Sequence, residues 1–111
     1  MNKRIKKKFI KALESGNYTK GQVYLWMEDK DEYCCLGVLT DIYIKEKKIR
    51  DEDRMMELLD GAVLHEDVRA WAEMDDDNGY IRNHSSLTSI NDEFESKASF
   101  EPVIRAIKEH I

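Results

Sequence analysis

Two adjacent cysteines, Cys34 and Cys35, are the residues best suited by type to do chemistry in this chain. They stand at the predicted start of a helix, where a thiol with a lowered pKa can act as a nucleophile. Such a nucleophile needs a base, and His84 with Asn91 or Asp92 would complete a Cys/His/Asn set, although His65 and His110 are equally eligible as the base. However, no cysteine-protease signature surrounds the thiols, and unpaired cysteines are among the most buried residue types. We therefore interpret both as small buried apolar side chains and predict no catalytic residue.

The same residues argue against a disulfide or a metal site. Neighbouring cysteines would have to bend the backbone sharply to bridge each other, and the three histidines are isolated from any second cysteine pair. The acidic run 75–79 resembles a calcium loop only superficially. When its glycine is aligned with the loop glycine, Met74 takes the first ligand position and Ser85 replaces the bidentate glutamate. We expect neither a metal ion nor a cofactor.

Aromatic residues surround a predicted hairpin, namely Tyr18, Tyr24, Trp26 and Tyr33. They have enough surface to stack on a base or to anchor a protein contact, and with Lys20 nearby they allow a nucleotide pocket. A strand with apolar residues on both faces is more often sandwiched in the core, which is the interpretation we favour. Any aromatic surface left exposed would instead favour a homo-oligomer.

Charge is distributed unevenly along the chain, which has a net charge of -5. Residues 3–11 carry six cationic side chains and no acid, whereas residues 51–77 carry eleven carboxylates against Arg54 and Arg69. The acidic centre suits a basic protein surface and the basic start suits phosphates, although a solvated face is the simpler interpretation. Nucleic-acid-binding domains are typically basic, whereas this chain has a pI of about 5.2, so direct nucleic-acid binding is disfavoured.

Length and composition predict one cytoplasmic domain, residues 1–111. No apolar stretch approaches the roughly 20 residues that span a bilayer, and the basic N-terminus lacks the apolar region of a secretory signal. No Walker loop, Rossmann glycine pattern, zinc-protease motif or nucleophile elbow is present, which disfavours the common enzyme classes.

Hydrophobic periodicity predicts helices over residues 3–14, 36–47, 54–59 and 66–74. Ser86 is expected to cap a further helix that presents Leu87, Ile90 and Phe94, and Ser99 to cap a last helix. Residues 22–27 and 33–35 are predicted strands around a charged turn, and residues 79–83 a short extended piece. The predicted fold class is α+β, a mostly helical single domain of four to six helices with a small antiparallel β-hairpin.

Three segments resemble a family of small phage and prophage proteins with a "CCLGVL" signature. The run 33–39 with Asp41, preceded by residues 12–18, carries the signature itself. Residues 64–72 are similar to the family's "LPEEVxxWAG" element, and residues 90–92 with 99–100 to its "LND" followed by "SF". The chain departs from the pattern at His65, Thr40 and Glu73, where the family has proline, a frequent third cysteine and glycine.

The resemblance implies a phage accessory protein that manages its bacterial host. We therefore expect a non-enzymatic host-interaction or counter-defence protein that binds and inhibits a host immune component in the cytoplasm. One alternative is a sponge that sequesters a nucleotide immune signal, and a second is a cysteine-dependent enzyme. Buried polar residues beside aromatic ones can form a recognition pocket. The candidate binding residues are Tyr33, Trp71, Asn91, Asp92, Tyr24 and Trp26.

Overall fold

The helix that carries Cys35 forms the centre of the molecule in the computed structural model, which describes residues 1–81, 85–93 and 99–111. Its first six residues are all buried, in keeping with their apolar or small side chains. The described residues form, in chain order, α1 (Lys3–Glu14), β1 (Thr19–Lys20), β2 (Trp26–Met27), β3 (Glu32–Tyr33), α2 (Cys35–Glu46), α3 (Glu52–Leu59), α4 (Glu66–Ala72), α5 (Leu87–Asp92) and α6 (Glu101–His110). Helices α1, α3, α4 and α5 all contact α2, and α6 packs on α1 and α5.

The three strands form one small mixed sheet in the order β1-β3-β2. Strands β2 and β3 are antiparallel, with Trp26 opposite Tyr33, which is the predicted hairpin. Strand β1 then pairs with β3 in parallel, with Lys20 opposite Tyr33. The prediction of a purely antiparallel hairpin is therefore wrong in this respect, because it left out the segment that precedes the hairpin.

The predicted strand over residues 22–27 is mostly wrong, since only Trp26–Met27 pairs as a strand. Val23 has a φ of 71°, outside the extended region, and its N–H donates a hydrogen bond to Asp92 Oδ1 at 2.8 Å. The Leu25 N–H donates to the Gly61 carbonyl at 2.9 Å. The backbone of this segment is thus satisfied by distant loops, which a pattern of apolar residues does not reveal. The predicted strand over 33–35 likewise ends at Tyr33, because Cys35 already begins α2.

The first four helices lie close to where periodicity predicts them. Helix α1 has the predicted bounds, and α2 begins one residue before the predicted 36. Helix α3 begins at Glu52 and not at 54, because the Asp51 side chain accepts a hydrogen bond from the Asp53 N–H and caps it. Helix α4 stops before the predicted 74, because Glu73 adopts a left-handed conformation with a φ of 56°.

The ends of α5 and α6 confirm one predicted cap and correct another. Ser86 Oγ accepts a hydrogen bond from the Ser89 N–H at 3.1 Å in a capping box, as predicted. Helix α6 begins at Glu101 with Phe100 as N-cap, and the Ser99 hydroxyl accepts from the Glu101 N–H at 3.0 Å. Phe94, expected on the α5 stripe, and residues 82–84 of the predicted extended piece lie outside the described residues.

These elements make a compact, mostly helical α+β domain, as the sequence predicted, with a radius of gyration of 12.7 Å. Its core joins one face of α1, through Phe9, to α2 and to one face of α6, through Val103 and Ile107. Among the described residues, no helix combines the length and the apolar character needed to cross a membrane.

Candidate binding site

Both cysteine side chains are buried in the core and free, as predicted from their residue type. Cys34 is 2% exposed and Cys35 fully buried, with its Sγ donating to the Leu87 carbonyl at 3.6 Å. Burial raises the pKa of the Cys34 thiol to about 11 and that of Cys35 well above its ordinary value. Both thiols are therefore protonated at neutral pH, which opposes nucleophilic chemistry. His84, the base of the hypothetical Cys/His/Asn set, lies outside the described residues.

Asn91 is fully buried and uses its side-chain amide entirely within the chain. Its Oδ1 accepts a hydrogen bond from the Cys35 backbone N–H at 3.0 Å, and its Nδ2 donates to the Gly21 carbonyl at 3.1 Å and to Asp92 Oδ1 at 3.0 Å. Cys34, the N-cap of α2, makes no side-chain cap bond. Asn91 therefore caps α2 from a distant part of the sequence.

Asp92 extends this junction toward the segment before the hairpin. Its side-chain Oδ1 accepts from the Val23 N–H, and its backbone carbonyl accepts a hydrogen bond from Gln22 Nε2 at 3.2 Å. Lys20 Nζ donates to the Asn91 carbonyl at 2.6 Å. The structure thus gives both Asn91 and Asp92 a role in holding the fold together, and a role in ligand binding stays a prediction.

Gly37, the glycine of the signature, lies against the backbone of a distant segment. A Cβ built at this position would lie 1.8 Å from the Leu25 carbonyl oxygen, far inside contact distance. The same oxygen accepts a hydrogen bond from the Cys34 N–H at 3.2 Å. This close approach of two backbone segments accounts for the glycine of the signature.

The structure brings together two of the four candidate aromatic residues and separates the others. The ring centroids of Trp26 and Tyr33 lie 6.3 Å apart, and Tyr18 meets Tyr33 edge-on at 5.2 Å. Trp71 packs elsewhere, against Tyr43 at 5.2 Å, and Tyr24 is 54% exposed. The predicted burial of the hairpin aromatics is therefore met only in part for Tyr18, Trp26 and Tyr33, which are half-buried. It is wrong for Tyr24, because residues 22–25 do not form the predicted buried strand.

Trp26 and Tyr33 line a cleft of about 500 Å³ between the sheet, α2 and α3, which we call the aromatic cleft. Buried Ile44 and Leu59 and the thioethers of Met55 and Met56 supply further apolar surface. Three carboxylates complete the lining, from Glu28, Asp41 and Glu52. Sequence reasoning placed Met55 and Met56 on a helix but assigned them no role, because nothing local indicated that α3 would face the hairpin.

Carboxylates of α3, of α4 and of the loop after α4 form one surface, the acidic face, which we define by Asp53, Glu57, Glu66, Asp67 and Asp75. Arg54 forms ion pairs with both Glu57 and Asp67, so its side chain connects the two helices. Asp53 lies one turn from Glu57 on α3, while Glu66 and Asp75 line a common shallow cleft. The side chains of this face are exposed, except that Arg54 between them is half-buried. In residues 1–81, 85–93 and 99–111, no His, Cys, Asp and Glu side chains cluster in a way that could hold a metal ion.

A second cleft of about 500 Å³, the basic cleft, lies between α1 and α2 and is lined by Lys8, Lys11, Lys45 and Tyr18. Lys45 is paired with Asp41 at 3.0 Å, and Lys8 lies 3.7 Å from Glu46. The Tyr18 hydroxyl donates to Asp41, and burial together with this bond raises the pKa of Tyr18 to about 12. The basic cleft therefore contains a partly neutralised set of cations.

A family model described as a domain of unknown function, DUF8296, matches residues 1–109. The chain belongs to this family. Comparisons with curated proteins and with solved structures found no match. The matched region of this DUF8296 domain includes the aromatic cleft, the acidic face and the junction around Asn91.

Proposed function

We propose that this protein is a phage-encoded, non-enzymatic binding protein that inhibits a component of the bacterial host's immune system by contacting a basic protein surface. The observation that carries the proposal is the acidic face, where exposed carboxylates of α3, α4 and the loop after α4 outnumber the two arginines beside them. Arg54 pairs with Glu57 and Asp67, and Arg69 lies 3.7 Å from Glu66. The phage setting rests on the resemblance of the signature segments described above.

The charge pattern favours a protein partner over a nucleotide at this surface. Residues 51–77 contain eleven carboxylates and two arginines, Arg54 and Arg69. The surplus of negative charge repels a phosphate and attracts a basic surface. A surface of this kind imitates the negative charge of nucleic acid, and complementary charge mainly raises the association rate and selects the partner. Defence proteins that bind nucleic acids have the basic surfaces that the acidic face would cover.

A phage challenge tests the proposal directly. Bacteria that carry a defence system are made to express the protein, and the efficiency of plaquing of a phage sensitive to that system is measured. We expect plaquing to rise with the wild type and to fall at least tenfold with the triple variant Asp53→Asn, Glu66→Gln, Asp75→Asn. The matched control neutralises three exposed cations that line neither cleft, Lys3→Gln, Lys7→Gln and Lys47→Gln, and should retain activity.

Two outcomes of this challenge would contradict the proposal. If the wild-type protein raises plaquing against none of the defence systems in a panel, the proposed inhibitory function is wrong. If the triple acidic variant is folded and as active as the wild type, the acidic face is not the surface that inhibits the host component. Folding of each variant is checked by circular dichroism and urea unfolding.

A second candidate function, sequestration of a nucleotide immune signal, is favoured by the basic cleft. Lys8, Lys11 and Lys45 could pair with phosphates while the Tyr18 ring lies beside them. Calorimetry with a panel of cyclic nucleotides tests this candidate. Binding without turnover that is lost in Lys11→Gln would support it, whereas no heat with any member of the panel would exclude it for those ligands.

A further inference from the structure

The aromatic cleft has a composition that selects a particular kind of side chain. Its two ring systems, Trp26 and Tyr33, are inclined by 33° to each other. The Trp26 indole N–H donates to Asp31 Oδ1 at 3.1 Å, and this bond fixes the orientation of the indole. Tyr33 is held in turn by its edge-on contact with Tyr18. Oriented aromatic faces of this type attract cations through the quadrupole of the ring.

The charged groups at the cleft are predominantly acidic. Among the ion pairs formed by the described residues, none includes Glu28 or Glu52. The third carboxylate, Asp41, is already paired with Lys45. Burial, followed by the nearby charges of Asp41 and Asp31, raises the pKa of the Tyr33 hydroxyl. The cleft is therefore a region of negative potential with two carboxylates available to a ligand.

The apolar part of the lining suits the stem of a long cationic side chain. Ile44 and Leu59 are nearly buried, at 5% and 9% exposure, whereas Met56 is 47% exposed. Methionine thioethers are flexible and adapt to an incoming group, and the methylene stem of an arginine can cover such a surface while its head remains polar. A phosphate-bearing ligand finds no cation of the described chain in this lining.

We propose that the aromatic cleft receives an arginine side chain from a basic segment of the protein partner. The planar guanidinium stacks on aromatic faces, is weakly hydrated and donates to carboxylates in pairs, which the compact lysine ammonium does not. Helix α3 contributes Glu52, Met55 and Met56 to the cleft and Asp53 and Glu57 to the acidic face. A partner whose basic surface covers the acidic face can therefore also place an arginine in the cleft. This inference rests on the proposed function and adds the anchor that the partner presents.

Peptide titration tests the arginine site without knowledge of the natural partner. The probe is an amidated, acetylated ten-residue peptide with four arginines in an alanine and glycine background, and its match has four lysines instead. The chain has two tryptophans, so its two indole N–H signals can be followed separately by NMR. We expect the Trp26 signal to shift and the Trp71 signal to stay, and the arginine peptide to bind about fivefold more tightly than the lysine peptide.

Variants separate stacking in the cleft from general attraction to acid. Trp26→Leu should abolish the preference for arginine while both peptides keep their salt-dependent binding. Tyr80→Leu, an exposed aromatic at 56% exposure outside the cleft, is the matched control and should keep the preference. If Trp26→Leu does not fold, the exposed pair Glu28→Gln, Glu52→Gln provides the second test and should weaken arginine-peptide binding more than Asp60→Asn does.

Several outcomes would overturn the arginine site. Equal binding of the two peptides, an unshifted Trp26 signal, or a preference that survives Trp26→Leu would each exclude it. If the Trp26 signal shifts with protein concentration in the absence of peptide, and sedimentation shows dimers, the cleft binds a second copy of this chain and not an arginine of a partner. A positive peptide result with no effect in the phage challenge would leave the arginine site standing and remove the inhibitory function, so the two failures are distinguishable.

Discussion

The Asn91 Oδ1 accepts a hydrogen bond from the backbone N–H of Cys35, at 3.0 Å, and so caps the central helix from across the domain. The same amide donates to the Gly21 carbonyl, which joins the end of α5 to the chain beside β1. Three segments that are far apart in sequence therefore meet at one fully buried side chain. This arrangement gives a structural reason for the asparagine that follows Ile90.

Replacing Asn91 with alanine should therefore destabilise the domain strongly. The Asn91→Ala variant leaves the Cys35 N–H and the Gly21 carbonyl buried without partners, and we expect the free energy of unfolding to fall by about 3 kcal/mol. Urea unfolding measures the change. Asn17→Ala, at an exposed position, is the control and should change stability by less than about 0.5 kcal/mol. A loss in Asn91→Ala no larger than in this control would show that the junction is unimportant.

Gly37→Ala should prevent folding, since its Cβ would collide with the Leu25 carbonyl that accepts the Cys34 N–H. The Cβ has a position fixed by the α2 backbone, and the atom it meets is a backbone carbonyl oxygen, so no side-chain rotation relieves the collision. Gly16→Ala is the matched control because φ there is +78° but nothing lies within 4 Å, and it should cost only about 1 kcal/mol. Circular dichroism distinguishes the two, and a cooperatively folded Gly37→Ala protein would refute the predicted collision.

Val23→Gly should stabilise the protein, which is unusual for a change to glycine. A β-branched residue at a φ of 71° is strained, and Val23 is 48% exposed, so little apolar contact is lost. We expect a gain of about 0.5 to 1 kcal/mol after the extra entropy of glycine in the unfolded chain is subtracted. Thermal unfolding checks this prediction. Val63→Gly, at another exposed valine, serves for comparison and should not stabilise. An equal loss of stability in both variants would contradict the strain.

Stability should fall at alkaline pH because the buried thiols resist ionisation. The folded state raises the pKa of Cys34 to about 11 from 9.0, so the contribution is fully present below pH 9. Between pH 9 and 11 the unfolded chain releases the proton and the folded chain retains it, which lowers the free energy of unfolding by about 1.4 kcal/mol per pH unit. Urea unfolding under reducing conditions at pH 8 and pH 10 should show a smaller loss in Cys34→Ala than in the wild type. An identical loss in the two proteins would mean that Cys34 ionises freely when folded.

Much of the fold could be predicted from local pattern. The stripe Ile5, Phe9 and Leu13 repeats at helical spacing, so α1 follows from its own residues. The burial of Cys34 and Cys35 follows from their residue type and their place in a run of apolar neighbours. The structure of the segment 22–27 does not follow from local pattern, because its apolar residues are typical of a strand whereas its backbone is held by Asp92 and Gly61.

The candidate site was only partly predictable for the same reason. Trp26 and Tyr33 are close because the hairpin is local, and the sequence predicted that hairpin. Trp71 was expected beside them but packs on Tyr43, since the direction in which α4 presents its aromatic residue depends on how that helix lies on α2. Met55 and Glu52 joined the site because α3 lines the same cleft as the sheet, and no local signal in either segment indicates that arrangement.

The sequence alone determined the helical periodicity, the buried thiol pair, and the charge separation between residues 3–11 and 51–77. These depend on side chains within a few positions of one another, where backbone geometry sets the spacing. Only the tertiary structure decided that Asn91 caps α2, that Arg54 joins two acidic helices, and that α3 closes the aromatic cleft. Such contacts depend on how distant segments return to the same place, and that return is set by the packing of the whole core.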